Sequence, residues 1–181
     1  PALLEKVKHV PDHEATVRWK DVVGRAASCQ VEDEEGLYSM KMYTILKELI
    51  GEYGLDALTI GCYPHLMGKV CVPGALLSDD GIPFGCEGDI NGVVGQLLLM
   101  LLTDTPTHHT DWLDPLEDGT VIFTHCGSGS FSLAEKQADI TLASVRLMGQ
   151  GVCAVFPARP GPVTLLSLLA QPGGYQCALV E

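Results

Sequence analysis

The spacing of hydrophobic residues changes along this chain, and each change predicts an element. Between residues 3 and 10 apolar side chains recur at roughly helical spacing until Pro11, which predicts a short helix or arm. The apolar run 22–27 predicts a short buried strand. From about Glu35 to Tyr53 the three- and four-residue steps predict a long helix, which acidic residues precede and Gly54 ends.

The middle of the chain alternates between strand-like and helix-like segments. Strands are predicted at 57–61 and 82–86, and helices at 70–77 and 90–102. Such alternation with short connections is typical of a parallel sheet flanked by helices, a Rossmann-like α/β arrangement. Ligands gather at the carboxyl ends of the strands in such sheets, so the segments after residues 61 and 86 are expected to carry the chemistry.

The last third of the chain changes to short strand-like runs separated by Gly and Pro turns, at 121–124, 151–156, 163–169 and 175–180. We therefore predict a boundary near Thr110. Residues 1–110 form the α/β domain in this interpretation, and residues 111–181 form a mainly antiparallel β domain. Because the chain begins without Met and ends within a predicted strand, we expect it to be a truncated part of a longer protein.

Composition excludes several partners and locations. The chain has 23 Asp and Glu against 11 Lys and Arg, a formal charge of -12, which would repel a nucleic-acid backbone. Its longest apolar run, 97–102, is too short to span a membrane, and the charged start does not resemble a secretory signal. Seven cysteines without zinc-site spacing are expected to be reduced and buried. A cytoplasmic protein is predicted.

Two carboxylates follow the strand predicted at 82–86. Glu87 and Asp89 lie two residues apart, so an extended backbone would direct both to one side, where they could hold a cation or share a proton. Asp89 also precedes the next helix, where an Asp commonly caps the first turn. His65 follows the preceding strand and is expected at the same edge, although a His after a Pro is also common in surface loops.

Other histidines offer weaker signals. His125 ends the strand predicted at 121–124 and leads into a Gly-Ser loop that permits close backbone approach to a ligand. His108 and His109 could bind a metal or a sugar, but neighbouring side chains on a strand point to opposite faces, so at most one is expected to contribute. No Gly-x-Ser-x-Gly elbow is present, which argues against a serine hydrolase.

Taken together, these segments resemble the L-fucose isomerase family. The landmarks run in the same order over about residues 20 to 135, and the most specific of them is Cys86-Glu87-Gly88-Asp89-Ile90-Asn91-Gly92. The others are 56–64, 81–83 and 125–127. The resemblance implies a homo-oligomeric, metal-dependent isomerase that interconverts aldoses and ketoses through an enediol, with Mn or a similar ion polarising the sugar oxygens.

The resemblance also implies roles for individual residues. Asp89 and His65 are the expected catalytic residues and metal ligands, and Glu87, Asn91 and His125 are expected to bind the sugar. The family commonly carries a Glu where this chain has His65, and imidazole does not reproduce a carboxylate that bridges metal and proton transfer. The family's third ligand, a His, is expected beyond Glu181.

Three hypotheses follow for function. The first is a sugar isomerase, active or inactive as this fragment, and the second is a non-catalytic sugar-binding or interaction module built on the same scaffold. The third, an unrelated α/β oxidoreductase, ranks last because no Gly-x-Gly-x-x-Gly follows a strand. The sequence does not identify the sugar.

Overall fold

A computed structural model describes residues 2–181 as a succession of helices and short strands. The helices are Ala2–Lys8 (α1), Asp12–Gly24 (α2), Asp33–Tyr53 (α3), Cys71–Asp79 (α4) and Ile90–Thr103 (α5). The strands are Ser28–Cys29 (β1), Leu58–Thr59 (β2), Phe84–Gly85 (β3), Asp111–Pro115 (β4), Val121–Thr124 (β5), Thr141–Val145 (β6), Gln150–Val155 (β7), Leu165–Gln171 (β8) and Gly174–Val180 (β9). Short 3-10 turns occupy Phe131–Leu133 and Gln137–Asp139.

The strands pair in both directions. β1 pairs parallel with β6, which pairs antiparallel with β7, and β2 pairs parallel with β3. β4 with β5 and β8 with β9 form antiparallel hairpins. The predicted α/β class with an antiparallel β part is therefore confirmed at the level of a mixed α/β chain with small sheets. A Rossmann-like sheet stays a prediction.

Local sequence explains where the two longest helices begin and end. Asp33, Glu34 and Glu35 fill the first turn of α3, where they interact favourably with the helix dipole. Gly54 ends this helix in the left-handed conformation and donates its amide to Ile50. Asp89 caps α5 by accepting the Gly92 amide. Both helices confirm the sequence prediction closely.

The strand predicted at 22–27 is wrong. Val22 and Val23 belong to the last turn of α2, and only Ser28–Cys29 is extended. Ala15, Trp19 and Val22 are buried at three- and four-residue steps, so the segment follows a helical period that begins before the apolar run. Strands β4 and β6 were not predicted.

One hydrophobic core unites residues from both sides of position 110. It contains Met40, Leu46 and Phe84 together with Leu142 and Val152. The division into domains 1–110 and 111–181 stays a prediction. Within residues 2–181 no helix is long and apolar enough to cross a membrane. All seven cysteines are free, but the expectation that they are buried is wrong for Cys29 and Cys177, which are exposed.

Candidate functional site

The loops that follow β2 and β3 leave the same edge of a small parallel sheet. The strands pair Leu58 with Phe84 and Thr59 with Gly85, so both chains exit side by side. The Gly88 amide then donates to the Ile60 carbonyl at 3.1 Å, which ties the second loop to the first. This edge is where the predicted site residues were expected to meet.

Two consecutive residues in the left-handed conformation turn the chain from β3 into α5. Glu87 has a φ of 61° and Gly88 a φ of 75°. The conformation is ordinary for glycine but strained for Glu87, and strain in a non-glycine residue is frequent at functional sites. Glu87 is exposed and lines a cleft of about 470 Å³ together with Gly61 and Tyr63.

Asp89 uses its two carboxylate oxygens for different partners. Oδ1 accepts the Gly92 amide at 2.9 Å, and Oδ2 lies 3.2 Å from His109 Nε2. Burial would raise the pKa of the carboxyl, but the hydrogen bonds from Gly92 and His109 outweigh it, and the net pKa is lowered. The side chain keeps 44% of its surface exposed. Asp89 is thus a helix cap and also an ionised, accessible carboxylate.

His109 joins this pair from the segment between α5 and β4. The Cys86 amide donates to His109 Nδ1 at 3.4 Å, while Nε2 faces Asp89. The Thr107 hydroxyl donates to the Gln96 carbonyl of α5 at 3.3 Å, which holds the segment against the helix. Only 13% of the His109 side chain is exposed. The position of His109 is therefore fixed by its contact with Cys86 and by the bond between its segment and α5.

His125 packs behind His109. Their ring centroids are 5.1 Å apart, and the His125 side chain is only 2% exposed. Its Nε2 lies 3.7 Å from Asp111 Oδ2, whereas its buried Nδ1 has no hydrogen-bond partner within residues 2–181. Burial and the nearby His109 lower the pKa of His125, although Asp111 and Glu87 oppose the shift. His125 is consequently neutral at pH 7.

His108 packs against Gly129 instead, in a segment between α5 and β4 that is not a strand, so the alternation expected of strand side chains stays untested. A Cβ added to Gly129 would be 3.1 Å from the His108 ring. Burial, and then the charges of His125 and His109, lower the pKa of His108 to about 4. His108 therefore packs as a neutral ring.

Two buried thiols, Cys62 and Cys86, follow the ends of β2 and β3. A hydrogen bond between the two thiols lowers the pKa of Cys62, while that bond and burial raise the pKa of Cys86. Cys86 Sγ also lies 3.6 Å from Ser128 Oγ. The pair belongs to the support of the site, since both sulfurs are enclosed by protein.

The remaining predicted residues are less closely engaged. His65 is exposed in the turn after β2, and no described residue forms a hydrogen bond or ion pair with its side chain. Asn91 is half-buried in the first turn of α5, and its amide contributes to lowering the Asp89 pKa. The roles of Asp89, His65, Glu87, Asn91 and His125 stay predictions.

A complete metal site is not formed by this chain in its described part. No three His, Cys, Asp or Glu side chains between residues 2 and 181 converge in a way that could hold an ion. Asp89 offers one exposed carboxylate with both oxygens already hydrogen-bonded. The donor set therefore does not fit Mn by itself.

Sequence reasoning named His108 and His109 as weak candidates, at most one of which was expected to contribute, but it did not predict the contact of His109 with Asp89 and it missed Asp111. The only signal was the pair of histidines ahead of the unpredicted strand β4. The contact of His109 with Asp89 depends on the 104–110 segment folding back along α5, and spacing along the chain does not reveal that path.

A carboxylate and imidazole cluster at the strand ends of a mixed α/β chain agrees with the class of protein to which the chain is similar, the sugar isomerases. In particular, the chain is 26% identical over 144 residues to the sulfoquinovose isomerase of Priestia aryabhattai, a match over 76% of this chain and 32% of that protein. The sulfoquinovose isomerase of Alkalicoccus urumqiensis is 26% identical over 72% of this chain and 31% of its own length.

A third relative, the sulfoquinovose isomerase of Clostridium sp. (strain MSTE9), is 31% identical over 52% of this chain and 22% of that protein. No family model matches the chain. The chain spans about a third of the length of the first relatives. The similarity supports a relationship to sugar isomerases, which is coarser than the predicted resemblance to L-fucose isomerase.

Proposed function

We propose that this chain carries part of the active site of a sugar isomerase that interconverts an aldose and a ketose through an enediol. The observation that carries the proposal is the Asp89–His109 pair, which lies at the strand edge beside the cleft. The similarity to a sulfoquinovose isomerase over 76% of the chain supports the same proposal. We propose sulfoquinovose, the sugar in the relatives' name, as the first substrate to test.

The reaction needs a base that takes the proton from the hydroxyl-bearing carbon next to the aldehyde carbon and delivers it to the aldehyde carbon, while a second proton passes from the hydroxyl oxygen to the former aldehyde oxygen. Asp89 is ionised and accessible, so its carboxylate is the proposed proton acceptor. His65, the second catalytic residue in this proposal, lies on the loop that leaves β2 at the same edge. Glu87, Asn91 and the neutral His125 are proposed to bind sugar hydroxyls.

A dependence of the isomerisation on Mn²⁺ is a separate part of the proposal. Asp89 and His65 are the proposed ligands on this chain, and further ligands would have to come from outside the described cluster. When bound, the ion would polarise the sugar oxygens as a Lewis acid. A homo-oligomer in the cytoplasm is likewise proposed, with subunit contacts as one source of further ligands.

Asp89→Asn tests the central assignment. Asn is also a good helix cap, so the bond to Gly92 and the stability of α5 should survive while the negative charge is lost. We expect kcat for isomerisation of sulfoquinovose, measured by chromatography of the product sugar, to fall at least about 100-fold. Asp104→Asn, at the other end of α5, is the matched control.

Unchanged turnover in Asp89→Asn together with an unchanged control would remove Asp89 from the chemistry. If activity survives exhaustive chelation and does not increase on adding Mn²⁺, the proposed manganese dependence is wrong, and the assignment of Asp89 is unaffected. Each result addresses a different element of the proposal.

The exposed, unengaged position of His65 favours a second candidate, a sugar-binding module without catalysis. Replacing His65 with Glu separates the two. A gain of isomerisation supports a degenerate enzyme, whereas sugar binding by titration calorimetry without turnover in either variant supports the binding module.

A further inference from the structure

We infer that His109 is a positioning residue, which holds the Asp89 carboxylate through a single fixed tautomer. The inference deepens the proposed function and rests on it for the role of Asp89. The ring proton of His109 is expected on Nε2 whether or not the protein isomerises a sugar.

The backbone fixes the tautomer. The Cys86 amide donates to His109 Nδ1, so Nδ1 must be the unprotonated nitrogen of the ring. The proton then resides on Nε2, which faces Asp89 Oδ2 at 3.2 Å. A donor on Nε2 and an ionised acceptor form a charge-assisted hydrogen bond, which is stronger than a neutral one.

The surroundings keep the ring in this orientation. The His125 ring packs against one side, and the Thr107 bond to α5 holds the preceding backbone. His109 is largely enclosed, while almost half of the Asp89 side chain is exposed. The arrangement therefore supports the carboxylate from the protein side and leaves its other side to a ligand.

Gly92 provides the space in which the pair forms. A Cβ at this position would lie 2.6 Å from His109 Nε2 and would overlap Asp89 Oδ2. Gly92 is helical without a positive φ, so backbone conformation does not demand glycine here. Glycine is needed at this position because the side chains of Asp89 and His109 occupy the space that a Cβ would take.

Three substitutions of His109 in the purified protein separate positioning from packing. Phe keeps the ring and its contact with His125 but makes neither hydrogen bond. Gln can place an amide donor near the Nε2 position, and Asn can replace only the acceptor at the Nδ1 position. We expect kcat to fall about 10- to 100-fold in H109F and H109N with KM changed less than about threefold, and H109Q to recover part of the loss.

Gly92→Ala is an independent test, because it keeps the chemistry of both side chains and displaces them from each other. We expect a loss of kcat similar to that of H109F, whereas Gly51→Ala, a helical glycine with nothing within 4 Å of the added Cβ, should leave kcat unchanged. Wild-type kcat in folded H109F or G92A would overturn the inference, as would equal activity of the Gln and Asn variants.

The readout that does not depend on turnover is the nitrogen chemical shifts of His109 in the ¹⁵N-labelled protein. We expect the proton on Nε2 in the wild type, and a changed Nε2 shift in Asp89→Asn and Gly92→Ala but not in Gly51→Ala. A proton on Nδ1 would overturn the inference. If the wild type shows this tautomer but isomerises no sugar, the proposed function fails and the positioning of Asp89 by His109 stands.

Discussion

Glu87 combines a strained backbone with an exposed position beside the cleft, and the two properties can be separated by mutation. Its φ of 61° is costly for any residue with a Cβ, by about 1 kcal/mol. Asp104, at the end of α5, has a φ of 52° and lies on the opposite end of the helix from the site. The two residues share the strain but not the location.

We therefore expect Glu87→Gly to raise the free energy of unfolding by up to about 1 kcal/mol and to raise KM for the sugar several-fold. Asp104→Gly should give the same stabilisation with KM unchanged. Urea titrations and initial-rate kinetics measure the two quantities. An unaltered KM in Glu87→Gly would mean that its carboxylate does not contact the substrate.

His108 makes stability depend on pH. Its pKa is about 4 in the folded protein, below its ordinary value of 6.5, so between these values the unfolded chain binds more protons. The free energy of unfolding should rise with pH across this window, by up to about 3 kcal/mol, and lose this dependence below pH 4. Charge repulsion from the neighbouring His125 and His109 adds to the effect of burial.

His108→Gln should flatten the rise between pH 4 and 6.5, leaving the part that the buried His125 contributes in the same direction. Urea titrations at half-unit pH steps measure the slope. Identical slopes in the wild type and the variant would contradict the assignment to His108.

Among the elements, α2 and α3 approach each other so closely that a glycine is required at their contact. A Cβ on Gly36 would overlap the indole ring of Trp19, whose Nε1 donates to Asp33 at 2.8 Å. We expect Gly36→Ala to lower the free energy of unfolding by about 1–3 kcal/mol despite the better helix propensity of Ala.

Gly51→Ala on the same helix is the control, because nothing lies within 4 Å of its added Cβ. It should raise stability by up to about 1 kcal/mol in urea unfolding. Equal effects of the two substitutions would show that Trp19 moves aside without cost.

The elements that sequence predicted well are those determined locally. α3 and α5 have helical periods, a first turn or cap of suitable residues, and clear ends. The strand predicted from Val22 was wrong because the burial of Trp19 against α3 continues α2 through the apolar run. β6 was missed because it depends on pairing with β1, more than a hundred residues earlier.

In the candidate site too, features determined by local sequence could be predicted, and contacts between distant segments could not. Asp89 could be found from its position between a strand and a helix, and the edge it shares with the β2 loop followed from parallel pairing. The pairing of Asp89 with His109 could not be predicted, because His109 reaches Asp89 through a loop without regular structure. Spacing along the chain also could not reveal that the His65 side chain is exposed.

At the scale of the whole molecule, the shared core bears on the predicted boundary near Thr110. The Ala27 and Gln30 amides donate to Ile140 and Leu142, both at 2.8 Å. Leu142 is fully buried in a core that it shares with side chains of the first 110 residues. Removing residues 111–181 would expose that part of the core to water.

We expect a fragment of residues 1–110 to lack the cooperative thermal transition of the whole chain, because the lost apolar contacts are central to its core. Circular dichroism at 222 nm during heating measures this. A fragment that unfolds as sharply and at the same temperature as the 181-residue chain would instead support two independent domains.

The need for glycine at position 92 also gives a way to recognise related sequences that contain the same pair. Because any side chain there would separate Asp89 from His109, the pair can be written as a signature of three positions, an Asp, a Gly three residues later and a His twenty residues after the Asp. Chains that keep all three are expected to build the same supported carboxylate. A chain with Ala at the middle position should have a different partner for its Asp, whatever its overall identity.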